Sequence, residues 1–378
     1  MSRTLEIGII GGSIGGLFAA GLLARDGHHV TVLERSRTGL SRRGGGLVAQ
    51  QELTTLLRKI GHDAASLIGV EANERIVLNR AGTVVDRDPT PQTQLSWDAV
   101  YELFRGLIPA RDYRLDTPVR AVVTAKDHSI AQLENGEELR FDLVIGADGV
   151  HSVTRDTVAP GDSHGSYVGY VTWRGLVPEL ALPPSAGAVL FESMALYTGP
   201  GEHAVGCLVP GAAGETDPGH RRYSWVWYRN LPDAGLAELM VRAGKPSFSS
   251  SISPREVAPV IRTQLVNAAV RCLPEPLALA VAVEPQPFMR AVFDYVAPRM
   301  SRGRVALLGD AAVTIRPHAA MGAAKAAGDA MTLVDLIARL PLDAALVEYD
   351  RLRLPIGRRI AEYSRRLGDS LPLRHEVA

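Results

Sequence analysis

The stretch that most narrows the folds open to this chain is its beginning. Leu5 to Ile10 is a short run of mainly apolar residues, followed at once by Gly11-Gly12-Ser13-Ile14-Gly15-Gly16. Leu17 to Arg25 then reads as a helix, and His29 to Leu33 as a second strand ending at Glu34. Runs this short and apolar predict strands buried on both faces, which demands a parallel sheet with helices on each side. In such a strand–turn–helix–strand unit the first glycine permits the tight turn. A small middle residue lets backbone approach a pyrophosphate, and the last glycine lets helix and strand pack closely. Gly11, Ser13 and Gly16 fill these places, the serine hydroxyl adding a donor for phosphate. Glu34 lies 23 positions beyond Gly11, near the roughly 20 at which an acid holds a ribose. The expectation is an α/β protein with a Rossmann-like dinucleotide-binding domain.

Two later segments repeat part of this logic. Leu143 to Ile145 is a buried-strand run leading into Gly146-Ala147-Asp148-Gly149, with Arg155 one or two helical turns on. Val305 to Leu308 stops at Gly309-Asp310; Pro317 redirects the chain, and Ala319 to Val334 is rich in small residues at helical spacing. Asp310 at a strand end is placed to accept from hydroxyls, and amides near Gly322 to meet negative charge. Ser41 to Gln50, SRRGGGLVAQ, brings Arg42 or Arg43 to phosphate or to an aromatic face. Each segment taken singly is equally an ordinary turn, a close helix contact or a pair of solvated arginines. Taken with the first unit, they predict one nucleotide cofactor held by three distant segments.

The middle of the chain changes character. Tyr167 to Val177, Ala188 to Phe191, His203 to Val209 and Tyr223 to Tyr228 are strand-like runs between Gly/Pro turns. They predict an antiparallel sheet walling off a substrate site, with helices over Asp233 to Arg242 and Pro254 to Val270. The expected division is a discontinuous cofactor domain over 1–160 and 285–340, a substrate domain over 70–100 and 161–284, and a helical region over 341–378. A formal net charge of zero with interspersed carboxylates argues against a nucleic-acid surface. Two cysteines offer neither a disulfide framework nor metal-ligand spacing. With no signal-peptide shape and no apolar run near 18 residues, the expectation is a cytoplasmic protein with no metal and no membrane partner.

These motifs together resemble the single-component, FAD-dependent aromatic hydroxylases of the para-hydroxybenzoate hydroxylase type. The motifs are Gly11 to Gly16 with Glu34, Asp148-Gly149 with Arg155, and Gly309-Asp310 with Pro317 and Gly322. Within that group, YVTWRG at Tyr170 to Gly175 and GDAAVTIRPHAAMGAAKA at Gly309 to Ala326 look most like the dihydroxypyridine-hydroxylating branch. The chain departs from the family at Val313, where histidine is usual, and at Ala320 to Ala324, where a Gly-Gln-Gly-x-Asn run loses all but Gly322. An arginine common near the start of the Trp97 helix is also missing, leaving Trp97 as the candidate to stack on the cofactor.

The resemblance implies that Gly11, Ser13 and Gly16 hold the FAD pyrophosphate, Glu34 the adenosine ribose, Asp310 the ribityl chain and the Gly322 amide the flavin pyrimidine. Arg35, Arg43 and Asp148 are further cofactor contacts, and Arg155 is placed to serve both pyrophosphate and a transiently docked NAD(P)H. Tyr170, Trp173, Arg174, Tyr228 and Pro317 are candidate substrate contacts, and His318 the candidate acid–base residue, on the ground that an ordinary histidine titrates near pH 6.5. The implied reaction is hydroxylation of a small electron-rich ring with NAD(P)H and O2 through a flavin C4a-hydroperoxide; a homodimer stays open. Two other readings compete. Trp225-Val226-Trp227 prompts a flavin-dependent halogenase, although Tyr228-Arg229 stands where those enzymes carry Ile-Pro. A non-catalytic flavin-binding regulator would bind the same cofactor without oxidising NAD(P)H.

Overall fold

The computed structural model describes residues 4–40, 45–62 and 69–373. One unit is built on a six-stranded sheet in the order Ser301–Arg302, Val305–Leu307, Leu143–Gly146, Glu6–Ile10, His29–Leu33, Tyr113–Arg114. Its inner pairs are parallel, with Ile7–Ile10 set against Leu143–Gly146 on one side and Val30–Leu33 on the other. Ile7, Ile9, Leu143, Val144, Ile145, Val305, Ala306 and Leu307 are fully buried, as strands covered on both faces must be. Each large aliphatic side chain so buried contributes about 1.5–3 kcal/mol. Gly8 interrupts the central strand because the Phe141 ring occupies the place a Cβ would take, 2.6 Å away. Helices Ile14–Arg25 and Gly322–Arg339 pack against each other over this sheet.

The second unit is a larger sheet in the order Ser251–Ile252, Phe288–Val296, Ser166–Pro178, Arg222–Asn230, Glu202–Val209, Ser193–Gly199, Glu74–Leu78, Val84–Asp88. Side chains alternate between its faces, and the two faces have different neighbours. On the far face Trp173, Trp225, Trp227 and Tyr197 form a core with Met240, Ile261, Leu265, Leu277 and Val281, from helices Asp233–Arg242, Pro259–Cys272 and Glu275–Val283. The near face turns toward the cofactor unit. There Tyr170 and Tyr228 pack with Val168, Val292 and Leu373, and a Cβ at Gly45 or Gly46 would strike Ser224 Oγ or Val209 Cγ1 at 2.7 and 2.8 Å.

The expected antiparallel sheet is present, with one parallel pair, Ser193–Gly199 against Glu74–Leu78. Several expectations need correction. Ala188 to Phe191 is not a strand; it closes the helix Pro184–Leu190, which Pro184 opens at its first position. Phe288–Val296, assigned above to the cofactor domain, is a strand of the large sheet beside Ser166–Pro178. The helix expected from Ala319 begins at Gly322, because Pro317–Ala319 is a 3-10 turn and Ala320 is left-handed at φ 52°. Among the described residues no helix is long and apolar enough to cross a membrane.

Candidate active site

The dinucleotide cleft forms where three strands of the parallel sheet end. Gly11 has φ 102° and lies so close to the next loop that a Cβ would sit 2.4 Å from Ala147 O, so only glycine fits. Ser13 precedes the helix Ile14–Arg25 without capping it, and no acid stands in the first turn. The first amides of that helix therefore remain available to an anion. Glu34 Oε2 accepts from Gly12 N at 2.9 Å and Oε1 from Ser36 N at 2.8 Å, which aims the carboxylate across the turn. Tyr113, absent from the sequence-based candidates, supports the turn from below by donating to Gly12 O at 2.9 Å.

Asp148 Oδ2 accepts from Thr154 N and Oγ1, while its Oδ1 is buried with no partner. Asp310 sits in the Gly309–Ala311 turn, and burial raises its pKa against the opposing charges of Lys325 and Arg155. Gly322 opens the helix Gly322–Arg339 on empty space, with no side-chain cap from Met321 and no acid in the first turn. Arg35 is exposed, near enough to His151 to reinforce the lowering of its pKa that burial begins. Arg43 lies outside the described residues. Amide donors at two helix starts, an orphaned buried carboxylate oxygen and close backbone approach all fit FAD.

Arg155 corrects its expected role. It is 1% exposed, and its nitrogens donate to Ala311 O, Val150 O, Ser163 O, Asp310 O and Thr314 Oγ1 at 2.5 to 3.4 Å. All five donors of a guanidinium are thus committed within the protein, and the group also lies 3.8 Å over the Tyr295 ring. Arg155 joins the Asp148 loop to the Asp310 loop, leaving no donor for pyrophosphate or nicotinamide. Beneath the same loop, Lys325 Nζ bonds Gly309 O and Asp329, and Arg353 Nε bonds Asp329 Oδ1, each at 2.8 or 2.9 Å and buried. Sequence inspection missed this trio because its members look like ordinary charges on helix faces.

On the near face of the large sheet, His318 stacks on Tyr228 with ring centroids 4.2 Å apart, and its Nε2 meets Tyr170 OH at 2.9 Å. Its Nδ1 is buried without a partner. Burial, then His203 and Arg316, brings the His318 pKa down to about 3. The expected titration near pH 6.5 is therefore corrected: desolvation keeps this imidazole neutral. His203, a further residue the sequence did not single out, holds Thr198 Oγ1 at 2.9 Å and is lowered to about 4 by burial. Arg316 anchors the turn before Pro317 and His318 through Asp294 and Asp369, at 2.8 and 2.6 Å.

Arg174 shares this face with Thr172 and Tyr228, being paired with Val226 across the strands. Its Nε is buried and unpartnered, and its charge moderates the rise to about 12 that burial imposes on Tyr228. Tyr170, Arg174, Tyr228, Pro317 and His318 are thus brought together. Trp173 is not: strand alternation sends it into the far core with Trp225 and Trp227. The same burial accounts for the W-x-W pair as packing, and Trp97 stacks on Tyr101 at 5.1 Å.

The FAD binding domain family matches residues 4–174 and 275–364, and an FAD binding domain-like family matches 167–294. The chain is 32% identical to 2,6-dihydroxypyridine 3-monooxygenase of Paenarthrobacter nicotinovorans over 90% of its length and 84% of the relative's. It is 28% identical to 3-amino-4-hydroxybenzoate 2-monooxygenase of Streptomyces cremeus, covering 99% and 89%. The structure of 2,6-dihydroxypyridine-3-hydroxylase from Arthrobacter nicotinovorans superposes with TM-score 0.90 at 29% identity, covering 98% of this chain and 94% of that one. Klebsiella pneumoniae HpxO, solved with FAD and uric acid, shares the fold at TM-score 0.76 and 22% identity, covering 96% and 88%. A flavin cleft of this geometry and relatives of this kind have one reading: the chain belongs to the FAD-binding family of single-component aromatic monooxygenases.

Proposed function

We propose that this monooxygenase hydroxylates a small hydroxylated heteroaromatic ring, of the pyridine type, held between the flavin and the near face of the large sheet. The observation that carries this reading is the group of unfilled polar atoms on one aromatic wall: His318 Nδ1 and Arg174 Nε, both buried and unpartnered beside Tyr228. Buried polar groups are normally satisfied, so an unpaired donor and an unpaired ring nitrogen on one wall suit a ligand bearing oxygen. Similarity to the dihydroxypyridine enzyme makes dihydroxypyridines the first compounds to try.

Gly11, Ser13 and Gly16 would hold the pyrophosphate, Glu34 the adenosine ribose, Asp148 and Asp310 the remaining hydroxyls, and the Gly322 amide the flavin ring, with Arg35 and Arg43 as further contacts. Bound FAD, with NAD(P)H as its reductant, would supply the activation of O2. This chain's side chains do the rest. The Tyr228–His318 stack and Pro317 fix the plane of the ring. His318 holds a hydrogen bond at Nδ1, kept neutral by burial, while Tyr170 sets its orientation through Nε2. The apolar packing around Tyr170 and Tyr228 keeps water from the reacting atoms. Unpaired thiols at Cys207 and Cys272 suit a reducing, cytoplasmic setting.

The test is a screen of hydroxylated pyridines, indoles and benzoates for stimulated NAD(P)H oxidation, with mass analysis of the products. A pyridine that stimulates oxidation and returns one oxygen atom heavier supports the proposal. Stimulation by benzoates or indoles alone would redirect it, and a chlorinated product formed with chloride would replace it with the halogenase reading.

A further inference from the structure

We infer that Arg174 is a built anion site, and that the ring substrate binds already ionised, its oxyanion paired with this guanidinium. The inference rests on the proposed reading of the near face as the substrate wall. Among the described residues no hydrogen bond or ion pair engages the Arg174 side chain, and its Nε is sealed from solvent. Three other buried or half-buried arginines each meet a carboxylate. Arg221 is held by Glu179 at 2.6 Å, Arg222 by Asp98 at 3.1 Å and Arg316 by Asp294 at 2.8 Å. Arg174 is half-buried, and its Nε is a donor sealed from water without a partner, which costs stability unless a ligand meets it. A ligand oxyanion would complete it.

The neighbours of Arg174 offer no competing anion. On its own strand and the next stand Thr172, Leu176, Val226, Ser224 and Tyr228, the tyrosine held neutral with a pKa raised to about 12. The strand beyond contributes His203, lowered to about 4, and Cys207, raised to about 12, both neutral near pH 7. On the other side the register places Phe288 beside Arg174 and the cationic Arg290 beside Thr172. His318, from the turn above, is neutral. Glu284, after the helix that covers this end, already accepts from Leu176 N and Gln286 N. The wall therefore carries positive charge and uncharged hydrogen-bonding groups, the complement of a flat ring bearing one oxyanion.

A ring that arrives ionised needs no strong protein base to generate it, which suits a histidine kept from protonating at neutral pH. Ionisation also makes a hydroxylated ring more electron-rich, as attack on activated oxygen requires. Arg174 selects the anion by charge; Tyr228 and His318 select flatness.

The experiment titrates the FAD-loaded enzyme with 2,6-dihydroxypyridine, with substituted hydroxypyridines whose ionisation falls between about pH 5 and 9, and with 2,6-dimethoxypyridine. Binding is read from perturbation of the flavin spectrum, without turnover. The wild type should bind about tenfold more weakly for each pH unit below a ring's own pKa, reach a plateau above it, and barely bind the dimethoxy ring. Arg174→Met should weaken the ionised rings on the order of 10²-fold and abolish the pH dependence, while Arg174→Lys recovers part of the affinity. Equal wild-type affinity for ionised and neutral rings would overturn the inference even if Arg174→Met failed to fold. So would an Arg174→Met enzyme that kept its ring affinity but lost FAD or shifted its flavin potential, which would assign the guanidinium to the cofactor. Rings that bind as anions yet are never hydroxylated would uphold the anion site and sink the proposed reaction instead.

Discussion

Arg155 and Arg174 are both arginines shortly after a glycine-bearing turn or inside a strand, and the fold treats them in opposite ways. Arg155 commits every donor to the protein, joining two cofactor loops. Arg174 has a buried Nε with no partner on the face of a sheet. The contrast extends to their surroundings. Around the Asp148 and Asp310 loops, Lys325, Asp329 and Arg353 complete each other; on the near face, Arg174 Nε and His318 Nδ1 stay open. The saturated charges tie the scaffold together here, and the two open atoms of the near face lie together on the wall proposed for the substrate.

The comparison breaks first if the scaffold arginine proves dispensable. Arg155→Met should cost roughly 3–5 kcal/mol, because it strands buried carbonyls and unties two loops at once. Thermal unfolding of the FAD-loaded protein and its flavin content measure this; an unchanged melting temperature with full flavin would show that the loops hold without it.

His318 sharpens the other side. Its folded pKa, about 3, lies below the unfolded value near 6.5, so the unfolded chain takes up the proton first as pH falls. The native state is fully favoured above pH 6.5 and loses stability progressively down toward pH 3, by at most roughly 5 kcal/mol from this residue. His318→Gln should flatten that acid limb in pH-dependent urea unfolding. The same variant should keep FAD yet slow ring hydroxylation on the order of 10²-fold and divert NAD(P)H oxidation to hydrogen peroxide. A variant with wild-type coupling would make His318 a packing residue only.

Trp173 gives the smallest expected effect and the sharpest test of which face is which. Trp173→Phe should lower stability by about 1–2 kcal/mol through lost packing in the far core, with ring affinity within a factor of two of the wild type. A selective loss of ring binding would place the tryptophan back on the substrate wall.

Much of the cofactor half was legible in the chain because each device there is local. A glycine turn, a strand-end acid and a small-residue helix start can be read from consecutive residues, and Gly11, Glu34, Asp148 and Asp310 all lie at strand ends of one sheet. What could not be read depends on partners far away in sequence. Nothing near Arg155 shows that Ala311 O and Thr314 Oγ1 will absorb its donors. Strand parity separates Trp173 from Arg174, but which parity faces the cofactor depends on where three later helices pack. His203 reaches the site only because the sheet aligns it with Tyr228. Its low pKa, like that of His318, is a property of burial and has no local sequence signal. At Ala320 the family glycine is missing while the left-handed backbone is retained, so the residue type concealed the turn.

The most direct measurement is a crystal structure of the FAD-loaded protein with an ionised hydroxypyridine bound. The account predicts a ring oxygen within hydrogen-bond distance of the Arg174 guanidinium, about 3 Å, the ring beside Tyr228 and His318, and Arg155 still bonded to its five protein acceptors. A structure in which Arg174 pairs with a carboxylate of the protein, while Arg155 leaves its carbonyls to grip FAD or substrate, would contradict it.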